Sequence, residues 1–251
     1  MTELAYLPDL PSAYVQQFRA RLTALPPGAV VLDRTYFYPT GGGQPADRGT
    51  LRTASGDEVE VVDVTKSGSA VLHRVRGPPA VLRSLAPGAE LEGRLDWERR
   101  FRHMRLHTAQ HLASARIFAR TGLRTRRATL AGISATMDLE GRLSPDTITA
   151  VADDVRASVQ RPRDVTIRAV PRAEWDAHPS AGRSGLVPLP SHVDPVRVVE
   201  IEAEDICPCG GTHVRSTGEI GEVQWLPLVP LPDGASRVAF TLVGASPSTR
   251  T

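Results

Sequence analysis

Two short stretches carry the residues best suited to chemistry: His107-Thr108-Ala109-Gln110-His111 and Cys209-Gly210-Gly211-Thr212-His213. On a helix, side chains four residues apart share a face, so His107 and His111 can turn both imidazoles toward one ion. Between Cys209 and His213 two glycines disfavour a helix and let the backbone turn until thiolate and imidazole face one point. In this composition a His–His pair at that spacing arises by chance about 0.2 times and a Cys–His pair about 0.06 times, roughly 0.01 jointly. That joint figure groups His107, His111, Cys209 and His213 as one candidate metal site. Imidazoles with a soft thiolate suit Zn²⁺, one ion per chain, whereas Mg²⁺ and Ca²⁺ take oxygen ligands. Ligand type alone leaves structural and catalytic zinc equally open, because it does not show whether a coordination position stays free.

A third stretch, Tyr38-Pro39-Thr40-Gly41-Gly42-Gly43-Gln44-Pro45, sets three glycines between prolines. Such a run can cradle a phosphate, admit another backbone or make a tight turn. It lacks the Gly-Lys-Ser/Thr ending of a P-loop, so no nucleotide cofactor is expected. Thr108 stands where a zincin carries its glutamate, and no Gly-x-Ser-x-Gly elbow occurs. Cys207 lies too close to Cys209 to staple a domain, which favours metal or thiol chemistry over a structural disulfide. It is read as a neighbour or spare soft ligand, with a nucleophilic role the lesser reading. His73, His103, His178 and His192 have no patterned partner and are read as ordinary core or surface residues.

The elements that must position these residues follow from period and punctuation. The chain has 251 residues, 41% of them hydrophobic, enough for one large or two ordinary domains. Residues 13–23, AYVQQFRARLT, carry apolar residues at helical spacing and predict a short helix. From Ala29 to about Leu95, short β-branched runs separated by Gly, Pro and Asp predict a small β-barrel or sandwich. Asp96 to Arg120 reads as a helix, with Asp96 a candidate N-cap and Gly122 near its stop. On it the histidines share an apolar side with Met104, Ala115 and Phe118. Arg102, Arg105, Arg116 and Arg120 gather opposite, as a solvated face with RNA contact the lesser reading. A second helix is expected over SPDTITAVADDVRASVQ, capped by Ser144 or Asp146, with Ile148, Val151, Val155 and Val159 on one face. The remainder alternates as strands over ATLAGISATMDL, DVTIRAVP, VRVVEIEA, GEIGEVQWLPLVP and SRVAFTLVG, and residues 178–195 read as a mobile loop. The expected fold class is α+β, with an N-terminal β-domain over 1–95 and an α+β domain over 96–251.

Net charge is +2, so no global basic field points to nucleic acid, and of 30 basic residues only Lys66 is lysine. That bias argues against reading any one arginine as an RNA contact. No apolar run approaches the ~18 residues of a membrane span. The N-terminus, MTELAYLPDLP, lacks a basic region followed by an apolar stretch, so a cytoplasmic, non-membrane protein is expected.

Taken in order, Tyr36-Phe37-Tyr38-Pro39-Thr40-Gly41-Gly42-Gly43-Gln44-Pro45-Ala46-Asp47, then Trp97-Glu98-Arg99-Arg100 with His107-Thr108-Ala109-Gln110-His111-Leu112, then Cys209-Gly210-Gly211-Thr212-His213-Val214, the chain resembles the alanyl-tRNA editing family. These are the free-standing relatives of the alanyl-tRNA synthetase editing domain, and the longer members share the N-terminal β-rich part with the glycine motif. The likeness extends from about residue 2 to residue 243. The His and Cys–His pairs alone are shared with the editing domain of threonyl-tRNA synthetase. The resemblance implies hydrolysis of the ester joining chiefly serine, and also glycine, to the acceptor end of mischarged alanine tRNA; with no synthetase catalytic domain visible, action in trans is expected, and a monomer is the expected form. It implies zinc on His107, His111, Cys209 and His213. It also implies positioning of substrate or water by Gln44, the Gly42 and Gly43 amides, and Thr40. Thr40 departs from the family motif, where an acidic or small residue precedes the glycines. Two other readings compete: a non-catalytic RNA-binding module with structural zinc, and a hydrolase of small esters or amides.

Overall fold

A computed structural model describes residues 1–181 and 189–244 as a mixed α+β chain of two units, Met1–Phe101 and a second beginning at Arg102. The first contains β1 (Glu3–Leu4), α1 (Leu10–Ala13), β2 (Gln17–Ala24), β3 (Ala29–Leu32), β4 (Arg34–Thr35), β5 (Gly49–Thr53), β6 (Glu58–Ser67), β7 (Ala70–Arg76), α2 (Pro79–Ser84) and β8 (Glu90–Leu95). Next comes α3 (Trp97–Thr121), followed by β9 (Thr125–Ala131), β10 (Ser134–Leu139), α4 (Pro145–Gln160), β11 (Val165–Val170), α5 (Arg172–Asp176), β12 (Val196–Ile201) and β13 (Asp205–Pro208). A 3₁₀ turn (Thr217–Ile220), β14 (Val223–Trp225), β15 (Val229–Pro230) and β16 (Ser236–Leu242) complete the described chain.

In the first unit, antiparallel strands pair in the closed order β2-β3-β7-β6-β5-β8 and back to β2, forming a barrel. Phe18, Leu22, Val30, Leu32, Leu51, Val61 and Leu91 fill it. Residues 13–23 do not form the expected helix. Only Leu10–Ala13 is helical, capped by the Asp9 side chain, and β2 follows with Phe18, Ala20 and Leu22 buried between exposed Gln17, Arg19 and Arg21. The stretch satisfies both periods at once; ladders to β3 and β8 on its two edges decide for period two. Gly93 on β8 is required by close approach, since a Cβ there would sit 2.5 Å from the Phe18 ring.

Two of the sequence motifs meet inside this unit. Arg100 and Asp47 are both fully buried. The Arg100 Nε donates to Asp47 Oδ2 at 2.9 Å and Nη1 to the Ala13 carbonyl at 2.7 Å, while Nη2 reaches the same carboxylate and the Tyr36 carbonyl. The Tyr38 N–H donates to that carboxylate as well, at 2.6 Å, and Arg99 Nε donates to Ala46 O at 2.9 Å. The Asp that ends the glycine motif and the Arg of Trp97-Glu98-Arg99-Arg100 are therefore one ion-paired device.

His73 on β7 is also fully buried. Its Nδ1–H donates to the Val30 carbonyl (3.2 Å), and Nε2 accepts from the Thr35 hydroxyl (2.8 Å), which in turn accepts the Phe37 N–H. Burial pulls its pKa down to about 4, against about 6.5 in the unfolded chain. Between these values the unfolded chain binds a proton that the native state refuses, so stability falls as pH drops from about 6.5 toward 4. We expect roughly 2–3 kcal/mol to be lost between pH 7 and pH 4.5. Urea unfolding at the two pH values checks this: His73→Gln, less stable at pH 7, should lose correspondingly less on acidification.

Among the described residues the second unit has two sheets. One runs β14-β16-β10-β9 with β15 added on β16; the other is β11-β12-β13. The segment ATLAGISATMDL is a hairpin of β9 and β10 that turns at Gly132, and its buried Leu130, Ala135 and Met137 face the core. Ser144 caps α4, accepting the Thr147 N–H at 3.1 Å, and Val151 and Val155 are its buried stripe. Of the expected loop over 178–195, residues 182–188 lie outside the described residues. Among the described residues no helix is long and apolar enough to cross a membrane.

Candidate metal centre

Helix α3 is set by local chemistry at both ends. The Asp96 carboxylate accepts the Arg99 N–H at 3.1 Å, and Gly122 adopts φ +72° with its N–H on the Phe118 carbonyl at 2.7 Å. Between them Met104, Leu106, Leu112, Ala115 and Ile117 are buried, and His107 and His111 share this interior with ring centroids 5.0 Å apart. The arginine stripe is only in part the solvated face expected from periodicity: Arg120 is exposed, Arg105 and Arg116 are half-buried, and all three reach partners in the unit. Arg102 is buried, Arg105 Nε donates to Ile220 O at 2.8 Å, Arg116 pairs with Glu204, and Arg120 grips Asp154 with two bonds of 2.7 and 2.8 Å. Partners on later elements of the unit convert a charged face into an anchor.

The second pair arrives on the β12–β13 hairpin, where Ile201 opposes Asp205 and Val198 opposes Pro208. Just beyond β13 the Cys209 N–H donates to the Arg197 carbonyl at 3.2 Å, while the Arg197 guanidinium binds the carbonyls of Cys209 and Gly211. Arg197 thus clamps the glycine turn from both sides. The turn carries His213 back until its ring lies 4.3 Å from that of His107 and 4.6 Å from that of His111.

The four predicted ligands converge, with one donor atom from each lying within 4.8 Å of the others. Cys209 Sγ is 3.3 Å from His213 Nε2 and 3.6 Å from His107 Nε2. In a tetrahedral zinc site with bonds of about 2.3 Å to sulfur and 2.0–2.1 Å to nitrogen, neighbouring S and N atoms stand about 3.6 Å apart. The donor set and its spacing therefore fit Zn²⁺. Electrostatics agree with a cation between these groups. Burial pushes the Cys209 thiol up, but His107 and His213 outweigh it and hold the thiol well below its ordinary value; Gly211 also donates its N–H to Sγ at 3.3 Å. Burial, with His107 beside it, drives His213 well below the usual imidazole range, the neutral form that a metal requires. At His111 burial is overcome by Cys207 and Cys209, which raise the imidazole to about 10.

The sequence reading missed two supporting contacts. Thr108 Oγ1 lies 3.1 Å from His213 Nδ1 and accepts the Val214 N–H at 3.2 Å, which turns His213 Nε2 toward Cys209. Asp205 Oδ2 lies 3.2 Å from His111 Nδ1. Asp205, Cys207 and Cys209 alternate along an extended segment and so share a face. That period of two was the signal available in the sequence.

The other predicted residues belong to the first unit. Gly41 and Gln44 exchange backbone hydrogen bonds of 3.1 and 2.9 Å across a two-residue turn whose central Gly42 and Gly43 have φ +54° and +82°. Both positions demand the left-handed region, hence glycine. The Tyr38 hydroxyl donates to Gly41 O, and Thr40 Oγ1 accepts the Ala46 N–H, so this threonine braces the turn. The three glycines are exposed while Gln44 is buried.

Comparison with known proteins first defines a class. Residues 12–99 match the family "tRNA synthetases class II (A)", and residues 196–234, which include Cys209 and His213, match "Threonyl and Alanyl tRNA synthetase second additional domain". A synthetase-type accessory module with a cluster of three buried imidazoles and one half-buried thiol is thus defined. The alanine–tRNA ligases of Pyrobaculum neutrophilum and Methanopyrus kandleri are 34% and 37% identical over 95% and 84% of this chain, which spans 28% and 23% of their lengths. Alanyl-tRNA editing protein AlaX-M of Saccharolobus solfataricus is 31% identical over 96% of this chain and 99% of its own length. The chain belongs to the alanyl-tRNA editing protein family.

Proposed function

We propose that the protein is a zinc-dependent aminoacyl-tRNA deacylase that hydrolyses the ester of mischarged alanine tRNA in trans. One observation carries this reading: a cluster of three buried imidazoles and one half-buried thiol, at metal-ligand spacing, in a chain similar to AlaX-M over nearly the whole length of both. The trans-acting character is inferred from the likeness to AlaX-M over nearly the whole length of both chains. The editing domain is assigned to residues 96–251 and its N-terminal companion to 1–95, with the monomer as the acting form.

The chemistry asks little of the side chains beyond placement. An aminoacyl ester is already activated, so positioning a water and stabilising the oxyanion carry the acceleration. His107, His111, Cys209 and His213 would hold the zinc, which can supply a Lewis acid for water or anchor the substrate's amino group or carbonyl. Arg197 and Thr108 keep that set in register through the glycine turn and the His213 ring. On the strength of the motif resemblance, Gln44, the Gly42 and Gly43 amides and Thr40 are assigned to the aminoacyl group or its attacking water. The preferred substrate is serine, with glycine second. A pocket for alanine cannot cheaply exclude a smaller side chain or one bearing an added hydroxyl, and a second, hydrolytic site restores discrimination.

Incubation of seryl-, glycyl- and alanyl-tRNA(Ala) with the protein tests the assignment. Serine release well above spontaneous loss, with alanyl-tRNA spared, is expected. Release no faster than background at saturating protein would leave an RNA-binding module with structural zinc; rapid turnover of a simple serine ester with indifference to tRNA would leave a small-ester hydrolase.

A further inference from the structure

The informative contact outside the four-residue cluster is made by a buried carboxylate. Asp205 opens β13 with its side chain 1% exposed, a position where an uncompensated charge is costly. Its Oδ2 lies 3.2 Å from His111 Nδ1, and Cys207 Sγ lies 3.3 Å from that nitrogen and 3.9 Å from Nε2. These three residues form a second group within 4.8 Å that shares His111 with the first. An imidazole has two nitrogens, and here one is turned to the carboxylate. Nε2 is then the nitrogen left for the cluster, as it is in His107 and His213, whose Nε2 atoms face Cys209 Sγ.

We propose that Asp205 is the positioning residue of the metal centre: its carboxylate accepts the Nδ1–H of His111 and so fixes the tautomer whose Nε2 lone pair faces the ion. Cys207 stands beside the same N–H as the weaker acceptor and is not a ligand. His213 is held by the same logic, with the Thr108 hydroxyl in place of the carboxylate. Carboxylate–histidine–zinc arrangements fix ring orientation and raise the basicity of the ligand nitrogen. The inference rests on the reading of the cluster as a metal site, but its test measures metal and not turnover, so a wrong substrate would leave it standing.

Zinc affinity of the full chain is measured by competition with a chromophoric chelator, and Co²⁺ absorption reports the ligand geometry. Asp205→Ala is expected to weaken zinc binding by about 10- to 100-fold and to change the Co²⁺ band. Asp205→Asn, whose carboxamide oxygen still accepts from Nδ1–H, should recover most of that loss, and Cys207→Ala should stay close to wild type. A folded Asp205→Ala with unchanged affinity and spectrum overturns the proposal, as does a loss on Cys207→Ala as large as that on Cys209→Ala. Should the alanine variant not fold, ¹⁵N NMR of wild-type zinc protein decides: a proton on His111 Nδ1 supports the proposal and a metal-bound Nδ1 overturns it. Wild-type protein that binds no zinc fails the metal reading itself and the proposal with it.

Discussion

Replacing Cys209 by alanine is expected to weaken zinc binding by on the order of 100-fold and to reduce release of serine from seryl-tRNA(Ala) at least in proportion to the lost metal. The size follows from the site. A four-ligand zinc centre is worth roughly 10–16 kcal/mol, so one ligand's share is about 3 kcal/mol. Cys209 is also the only thiolate among the four, and its sulfur lies nearest to two of the three imidazoles. Without it the cluster is three imidazoles with no thiolate, and the Gly211 N–H loses its acceptor. Elemental analysis of the purified variant and a deacylation assay at fixed zinc check both parts. Retained stoichiometric zinc in Cys209→Ala would count against the ligand set.

The second large effect lies in the first unit. Arg100→Leu is expected to cost about 3–5 kcal/mol, because it strands the buried Asp47 carboxylate and removes the donors to the Ala13 and Tyr36 carbonyls. Against a total of roughly 5–15 kcal/mol for a domain, that is enough to unfold a marginal one. The pairing makes a sharper claim than destabilisation alone. Adding Asp47→Asn to Arg100→Leu should recover part of the loss, since the stranded charge is gone. Denaturant unfolding of the single and double variants measures the coupling. Equal stability of wild type and Arg100→Leu would show that the pair contributes nothing.

Much of the second unit was legible because its signals are local. Asp96, Gly122 and Ser144 are caps and stops that act within a few residues, and they delimit α3 and α4 as the sequence implies. The four clustered residues were legible for the same reason: each pair carries its own spacing, and their coincidence in one chain is rare. Where tertiary contacts decide, the sequence misled or stayed silent. Residues 17–24 fit a helix until two neighbouring strands are supplied. The four arginines of α3 looked like a wet face because Glu204, Asp154 and the Ile220 carbonyl are distant in the chain. Strand β13 was missed because it is four residues long and ends on Pro208, and with it went the alternation that places Asp205 beside His111. Asp47 and Arg100 were both visible as motif residues, yet nothing in their separation of 53 residues announces that they touch.

The central claim is that the cluster of His107, His111, Cys209 and His213 holds the metal on which hydrolysis of mischarged alanine tRNA depends. Its most direct test is serine release from seryl-tRNA(Ala), at saturating protein, by one preparation measured as the zinc form, after removal of metal by a chelator, and after return of one equivalent of Zn²⁺. The account predicts fast release, near-spontaneous release and recovered release, in that order. Stripped protein that releases serine as fast as the zinc form would contradict it.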